Sequence, residues 1–361
     1  MQKKKLIHFI YNLGRGGAET MIVRVIKELG EYEHVVVTLF PLDHFGDELQ
    51  CDKRICFNLR SLFALPLAIF KLKKVIKSEK PDLVHTHLFW PTVIARAAVP
   101  KNIPLITTIH AFIANSVEYK HWYIRLLDKL TYRIRKSIII VVAKGALKEY
   151  FSFLKLKPWR AYALYTFVDM NRFNRGDMAP KLPSELFRVI SVGALRTQKN
   201  HLFLINAFTR LKDHPIELHI YGVGNLQKAL QKRIDETGAR VILKGEVKNI
   251  EQLIAQYDLY VMASGFEGFS LSVLEAMAMG MPLLLSDIPS FNEQCESVAD
   301  YFSLADNNSL VQKLIEASAQ GREELKTRGE AARIRAIDHF TLPRHMEGLR
   351  KIYSEALSIT G

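Results

Sequence analysis

The sequence predicts an α/β protein built from two doubly wound, parallel-sheet domains with a cleft between them. Three observations carry this. Short apolar runs alternate with helix-period stretches through both halves of the chain. The 361 residues exceed what one core usually supports and suffice for two. Loops rich in Gly, His or cations follow several of the apolar runs, where open parallel sheets bind ligands. The chain divides into a basic first domain over 1–172, a second domain over 173–340, and a C-terminal helix over 341–361 packing back on the first domain.

In the first half, Leu6–Tyr11 reads as a strand, followed by the glycine loop Asn12–Glu19 and a helix over Thr20–Leu29. Strand, glycine loop and helix form the layout of a phosphate-binding turn. A dinucleotide fingerprint would need a third Gly where Glu19 stands. Val35–Phe40, Asp82–Thr86, Leu105–Ile109 and Ile138–Val142 read as further strands. His87 and His110 fall just past two of them. His85 and His87 alternate on one strand face, but no carboxylate or Cys accompanies them at ligand spacing, so no metal site is expected.

Met178–Ser184 has two prolines and no periodicity, which suits an interdomain linker. Beyond it the alternation resumes. Phe187–Val192 leads to Arg196 and Lys199, Glu217–Tyr221 to Gly222 and Gly224, and Val241–Leu243 to Lys244–Asn249. Leu259–Ala263 leads into Ser264–Asp287, the most informative stretch. It holds Glu267 on a Gly-rich turn and Glu275 on the short helix that follows, with Gly280 and Pro282 ending the helix. Amides at that helix start would form an anion site between two acids. The same pattern also fits a surface helix with two solvated acids. The C-terminal stretch Thr341–Ser358 has a Thr cap, Pro343 in the first turn, and apolar residues at helical spacing.

Charge divides the chain. Residues 1–172 hold 28 Lys and Arg against 14 Asp and Glu, and the remainder is balanced, so an anionic partner is expected for the first half. Ser61–Lys80 and His121–Lys136 mix basic with apolar or aromatic residues. They suit a membrane-surface patch, or helices packing their apolar sides on a sheet. Three cysteines, Cys51, Cys56 and Cys295, are too few and too scattered for a disulfide framework and point to a reducing cytosol. No apolar h-region follows the basic N-terminus, and no run is long enough to span a bilayer, so neither a signal peptide nor a membrane span is expected. Ser–His–Asp, zinc-spacing and P-loop motifs are absent.

Arg196 and Lys199 suit two oxygens of a diphosphate. With the first-half glycine turn and the two acids, they make a set that a nucleoside-diphosphate sugar needs. Gly16-Gly17-Ala18-Glu19, VGALRTQKNH at Val192–His201, and EGFSLSVLEAMAMGMPLLLSDIP at Glu267–Pro289 resemble the retaining glycosyltransferases of family 4, in the family's order. The resemblance runs from Leu6 to Phe302 and includes the Glu-x7-Glu spacing of Glu267 and Glu275. It implies the GT-B fold of two Rossmann-like domains. It implies that Glu267 holds the donor sugar's hydroxyls and Glu275 the ribose. Arg196 and Lys199 would neutralise the leaving diphosphate, Gly16 and Gly17 would bring amides to the phosphate, and His110 would sit beside the transferred sugar. Val247, Phe269, Ser270, Leu271 and Ser272 would join the nucleotide-sugar contacts. Two departures stand out: Ser270 replaces a common Gly, with a cost if that position needs φ > 0, and Thr-Phe-Val-Asp replaces Asn-Gly-Val-Asp after Tyr165.

The implied activity is retaining transfer of a hexosyl or N-acetylhexosaminyl group from a UDP- or GDP-sugar to a hydroxyl of a saccharide or lipid-linked saccharide. The setting would be capsule, exopolysaccharide or O-antigen assembly at the inner face of the cytoplasmic membrane. No metal or other cofactor is expected, since cations stand in for one and no Asp-x-Asp run occurs. An epimerase on the same fold would act on donor alone, and a sugar-nucleotide sensor would bind without turnover. A nucleic-acid binder would need a recognised module, which the basic stretches lack.

Overall fold

The computed structural model describes residues 3–14, 16–61, 64–114, 116, 118–174 and 185–359. Arg15 of the glycine loop, Leu62 and Phe63 of the first basic stretch, and the expected linker Met178–Ser184 lie outside them. The chain forms two compact units: Met1–Thr166 with Pro343–Gly361, and Phe167–Leu342.

The first unit holds seven parallel strands: β1 (Lys5–Ile10), β2 (Glu33–Thr38), β3 (Lys53–Cys56), β4 (Leu83–His87), β5 (Leu105–Ile109), β6 (Ile138–Val141) and β7 (Ala161–Ala163). Their order is β3-β2-β1-β4-β5-β6-β7. The inner strands are buried along most of their length, as a parallel sheet covered on both faces requires. At the edges, mostly exposed β3 and three-residue β7 lack the apolar pattern that would mark them in sequence. Strand order reverses between β1 and β4, so the loops after these strands border the ligand-binding crevice of such sheets. The connecting helices are α1 (Gly17–Glu28), α2 (Leu65–Glu79), α3 (Phe89–Ala98), α4 (Trp122–Ile134) and α5 (Lys144–Phe153). Helix α1 begins three residues before the expected Thr20. Gly16 is its extended N-cap, and Thr20 N–H makes a 3.0 Å bond to Gly16 O. Glu19 then sits in the first turn, where the helix dipole favours an acid.

The second unit holds β8 (Phe187–Val192), β9 (Ile216–Tyr221), β10 (Val241–Gly245), β11 (Leu259–Met262), β12 (Leu283–Ser286) and β13 (Asp300–Phe302). The order is β10-β9-β8-β11-β12-β13, again all parallel, with its switch between β8 and β11. Its helices are α6 (His201–Phe208), α7 (Gln227–Thr237), α8 (Ile250–Ile254), α9 (Leu271–Ala278), α10 (Pro289–Cys295), α11 (Asn307–Ala319) and α12 (Arg322–His339). Helix α9 ends in a Schellman motif. Gly280, at φ 66°, bonds Met277 O, and Met281 N–H bonds Ala276 O.

Helix α13 (Leu342–Ser358) lies almost wholly in the first unit and buries Met346, Leu349, Ile352, Tyr353 and Ala356 there. Its Arg350 Nε bonds Glu31 Oε1 at 2.7 Å, and Tyr353 Oη meets His85 Nδ1 at 2.7 Å.

Parallel register concentrates histidines in the first unit. His8 pairs with His85 across β1 and β4, and His87 lies two residues on, on the same face. His34, His110 and His345 pack near them. Burial holds His85 and His110 down at about 3 and His345 at about 4, and it lowers His8 and His87 as well. Above their ordinary value near 6.5 these rings are neutral in both folded and unfolded chains. Below it the unfolded chain takes up protons that the folded unit refuses, so stability falls with pH. At pH 5.5 each such histidine costs about 1.4 kcal/mol. Thermal melts at pH 7.5 and 5.5 should therefore show a clear loss of Tm at the lower pH; an equal or higher Tm there contradicts the account.

Candidate active site

Residues singled out in the sequence stand at the C-terminal ends of the two sheets. In the second unit, β8 ends in Gly193-Ala194-Leu195-Arg196, followed by a single 3-10 turn, Thr197–Lys199. Gly222 and Gly224 lie against this loop. A Cβ on Gly222 would fall 2.0 Å from Gly193 O, and one on Gly224 2.4 Å from Leu195 O. Only glycine permits so close a backbone approach, which places the cation-bearing loop.

The Glu267 loop follows β11 and is tied to that turn. Lys199 Nζ lies 2.7 Å from Glu267 Oε1. Ser264 Oγ donates to the same oxygen at 2.7 Å, and Oε2 takes neither contact. Gly265 N–H bonds Gln198 O at 2.9 Å, and Gln198 Nε2 donates to Phe266 O at 3.0 Å. Lys199 is thus held in a mostly buried ion pair, unlike the freely solvated cation of a basic turn. Lys199→Ala would strip a buried carboxylate of its partner and cost stability as well as charge. Arg196 is exposed beside it.

Helix α9 opens immediately after this loop. Ser270, its N-cap, has φ −79°, so the Ser in place of a common Gly carries no left-handed strain. Gln294 holds the cap from both sides: Ser270 N–H bonds Gln294 Oε1 at 3.0 Å, and Gln294 Nε2 donates to Ser270 O at 2.9 Å. The first intrahelical bond is Leu274 N–H to Ser270 O at 3.1 Å, so the amides of Leu271, Ser272 and Val273 precede the helix's own ladder. They lie at the positive end of the helix dipole, which favours an anion. Ser270 Oγ and Ser272 Oγ lie 3.2 Å apart beside them. Glu275 sits on the next turn, half-buried. Burial pushes its carboxyl up to about 7, against the opposing pull of Arg172 and Lys199. Phe269 is buried with its ring 5.1 Å from that of Phe340, edge to face, which makes it packing for the loop. Val247 is half-buried between β10 and α8, and Arg172 donates to the neighbouring Lys248 O at 2.8 Å.

In the first unit, Gly16 and Gly17 begin α1, and a Cβ on Gly16 would meet the Glu19 carboxylate at 2.5 Å. His110 follows β5 directly, with its Nε2 3.3 Å from His87 Nδ1. It borders a cavity of about 530 Å³ walled by Phe89, Trp90, Ile113 and Tyr119. Beneath the cavity, Arg96 and Asp128 form a buried pair, and the Tyr119 and Tyr150 hydroxyls also donate to the Asp128 carboxylate.

Residues 15–172 match the family described as Glycosyltransferase Family 4, and residues 187–320 match Glycosyl transferases group 1. The chain belongs to the family 4 glycosyltransferases. One relative of this glycosyltransferase is the N-acetylgalactosamine-N,N'-diacetylbacillosaminyl-diphospho-undecaprenol 4-alpha-N-acetylgalactosaminyltransferase of Campylobacter jejuni. It is 27% identical, over 79% of this chain and 81% of that protein. Another is the UDP-Gal:alpha-D-GlcNAc-diphosphoundecaprenol alpha-1,3-galactosyltransferase of Escherichia coli, 26% identical over 83% of this chain and 81% of that one. Among solved structures, Anabaena Alr3699/HepE in complex with UDP and glucose superposes with a TM-score of 0.82 at 16% identity. It covers 98% of this chain and 100% of that one, a likeness of GT-B fold.

Within the second unit the glycosyltransferase brings together Lys199, Glu267, Ser270 and Ser272 as the sequence implied. Sequence reasoning missed Ser264, Gln294 and Arg172. Ser264 opens the stretch already singled out, and its i+3 relation to Glu267 was a readable signal. Gln294 and Arg172 act over 24 and 76 residues on Ser270 and Lys248, where no local pattern points to them.

Proposed function

We propose that this glycosyltransferase moves a sugar from a nucleoside-diphosphate sugar to a saccharide or lipid-linked saccharide hydroxyl, with retained anomeric configuration, in surface-polysaccharide assembly. The observation that carries the proposal is the junction of Lys199 with Glu267 immediately before the amide end of α9. Positive charge and a carboxylate are held side by side, as a diphosphate with a sugar at its far end requires. Oε2 of Glu267 would accept a donor-sugar hydroxyl. Arg196, Lys199 and the α9 amides would stabilise the departing diphosphate, and Glu275 would accept from the ribose. No dedicated nucleophile is evident, so the leaving phosphate itself would take the acceptor's proton, and rate would rest on positioning and charge stabilisation. His110 is neutral at physiological pH and would orient a hydroxyl at the aromatic cavity. The names of the two bacterial relatives, both acting on diphospho-undecaprenol-linked sugars, support a lipid-linked acceptor.

Arg196 is the residue to test, because its exposure uncouples charge from folding. Arg196→Ala should keep its Tm and lose about 100- to 1000-fold in kcat. The wild type should turn over without added Mg²⁺. Near-normal turnover of the variant, or activity abolished by EDTA and restored by Mg²⁺, rejects the proposal.

The proposed site of action is an anionic membrane face. Helix α4 buries Ile124, Asp128 and Tyr132 and presents the opposite stripe of Trp122, Tyr123, Leu126, Leu130 and Ile134 to solvent, with Trp122 68% and Ile134 76% exposed. Arg125, Lys129 and Arg133 flank that stripe, an interfacial pattern. On α2, Leu67 and Phe70 are also exposed near Lys73, Lys74 and Lys77. Among the described residues no helix is long and apolar enough to cross a membrane. In flotation assays the protein should rise with anionic vesicles and not with neutral ones, and a Trp122→Ser/Ile134→Ser variant should stay below. Equal behaviour on both vesicle types removes the membrane site.

A further inference from the structure

Glycosyl transfer makes no use of the histidines buried under α13. Strand parity brings them together. His8 of β1 lies directly opposite His85 of β4, and His87 is the next residue of β4 on the same face. Ring centroids are 5.9 Å apart for His8–His85, 6.1 Å for His8–His87 and 4.1 Å for His85–His87. One ring nitrogen from each lies within 4.8 Å of the others. These rings line a cavity of about 20 Å³, closed by His345, Leu349, Ile22 and Val25. That space suits one water-sized occupant.

The hydrogen bonds around the cavity assign one lone pair to it, on His8. His34 Nε2–H donates to Leu29 O at 2.9 Å, so His34 Nδ1 carries a lone pair. His8 Nε2–H donates to that atom at 3.1 Å. The remaining nitrogen, His8 Nδ1, is therefore unprotonated, and it is buried with no partner. His87 Nδ1 is engaged with His110 Nε2, and His87 Nε2 is likewise buried and unpartnered. Buried polar atoms left unsatisfied call for an occupant.

We propose that His8, His85 and His87 form a binding site for one divalent transition-metal ion, best suited to Zn²⁺. His8 would bind through Nδ1 and His87 through Nε2. His85 would use one ring nitrogen, exchanging a hydroxyl contact, to Tyr353 Oη or Thr108 Oγ1, for the metal. Three imidazoles with an open fourth position form a known zinc donor set. His34 behind His8 and His110 behind His87 supply the outer hydrogen bonds that orient metal-bound imidazoles. Zinc would draw the nitrogens to about 2.0–2.1 Å from itself and so tighten β1 against β4. Through the His87–His110 contact it would also fix the ring that faces the aromatic cavity. The ion is a positioning element set behind the acceptor side, separate from the diphosphate-binding cluster of the second unit. The inference does not depend on the identity of donor or acceptor.

The test uses full-length, tag-free protein, stripped with chelator, incubated with Zn²⁺, desalted and assayed for metal by mass spectrometry. The expected result is about one zinc per chain. His8→Gln and His87→Gln should each bind at least about 100-fold more weakly, beyond what loss of an outer partner alone would cost. His121→Gln, on an exposed histidine outside the cluster, should bind as the wild type does. Anomalous diffraction at the zinc edge should place the ion among the three rings. A zinc-free wild type, or full occupancy retained in the His8→Gln/His87→Gln double variant, overturns the site. So does a lone water in the cavity of zinc-soaked crystals. If a variant fails to fold, wild-type stoichiometry and the anomalous map decide alone.

Discussion

The contact between Lys199 and Glu267 organises the second unit's functional end. The two residues follow β8 and β11, the strands that flank the point where the sheet changes direction. That contact, with the Gln198 bonds to Gly265 and Phe266, joins two loops that lie 68 residues apart in sequence. A mostly buried ion pair is an expensive way to join loops, because desolvating both charges offsets much of their attraction. An apolar pair of similar volume would serve stability as well. Charge at this place therefore points to chemistry. Ser264 and the Gln198 contacts hold the carboxylate loop in register, and Gln294 does the same for the N-cap of α9.

Desolvation also shapes the first unit, with the opposite result. There the buried groups are histidines, and burial strips their charge. Neutral rings with fixed tautomers suit the orientation of hydroxyls and the donation of lone pairs. They do not suit proton delivery at physiological pH. Glu275 lies between these cases: burial raises its carboxyl to about 7, so small changes in its surroundings decide whether it is a pure acceptor.

Much of this was readable in advance. Periodicity marked the central strands, because both faces of a parallel sheet are covered and the runs are predominantly apolar. It failed at β3 and β13, which are short or exposed strands at the sheet edges. Glu267, Glu275, Arg196 and Lys199 were legible because the loops that carry them are continuous in sequence. The histidine cluster was legible only in its local half. His85 and His87 alternate visibly, but His8 joins them across 77 residues through strand pairing. Gln294 and Arg172 escaped for the same reason, since their partners are distant and their own surroundings carry no pattern. The pairing of Lys199 was not legible, because nothing in its own loop shows the carboxylate that pairs with it.

The central claim is that the Lys199–Glu267 junction and the start of α9 grip a nucleoside diphosphate. A crystal structure of the protein with bound UDP tests it most directly. The account predicts diphosphate oxygens within hydrogen-bond distance of Lys199 Nζ and the Leu271–Val273 amides, with the ribose at Glu275. A well-ordered UDP bound elsewhere, with these groups untouched, would contradict it.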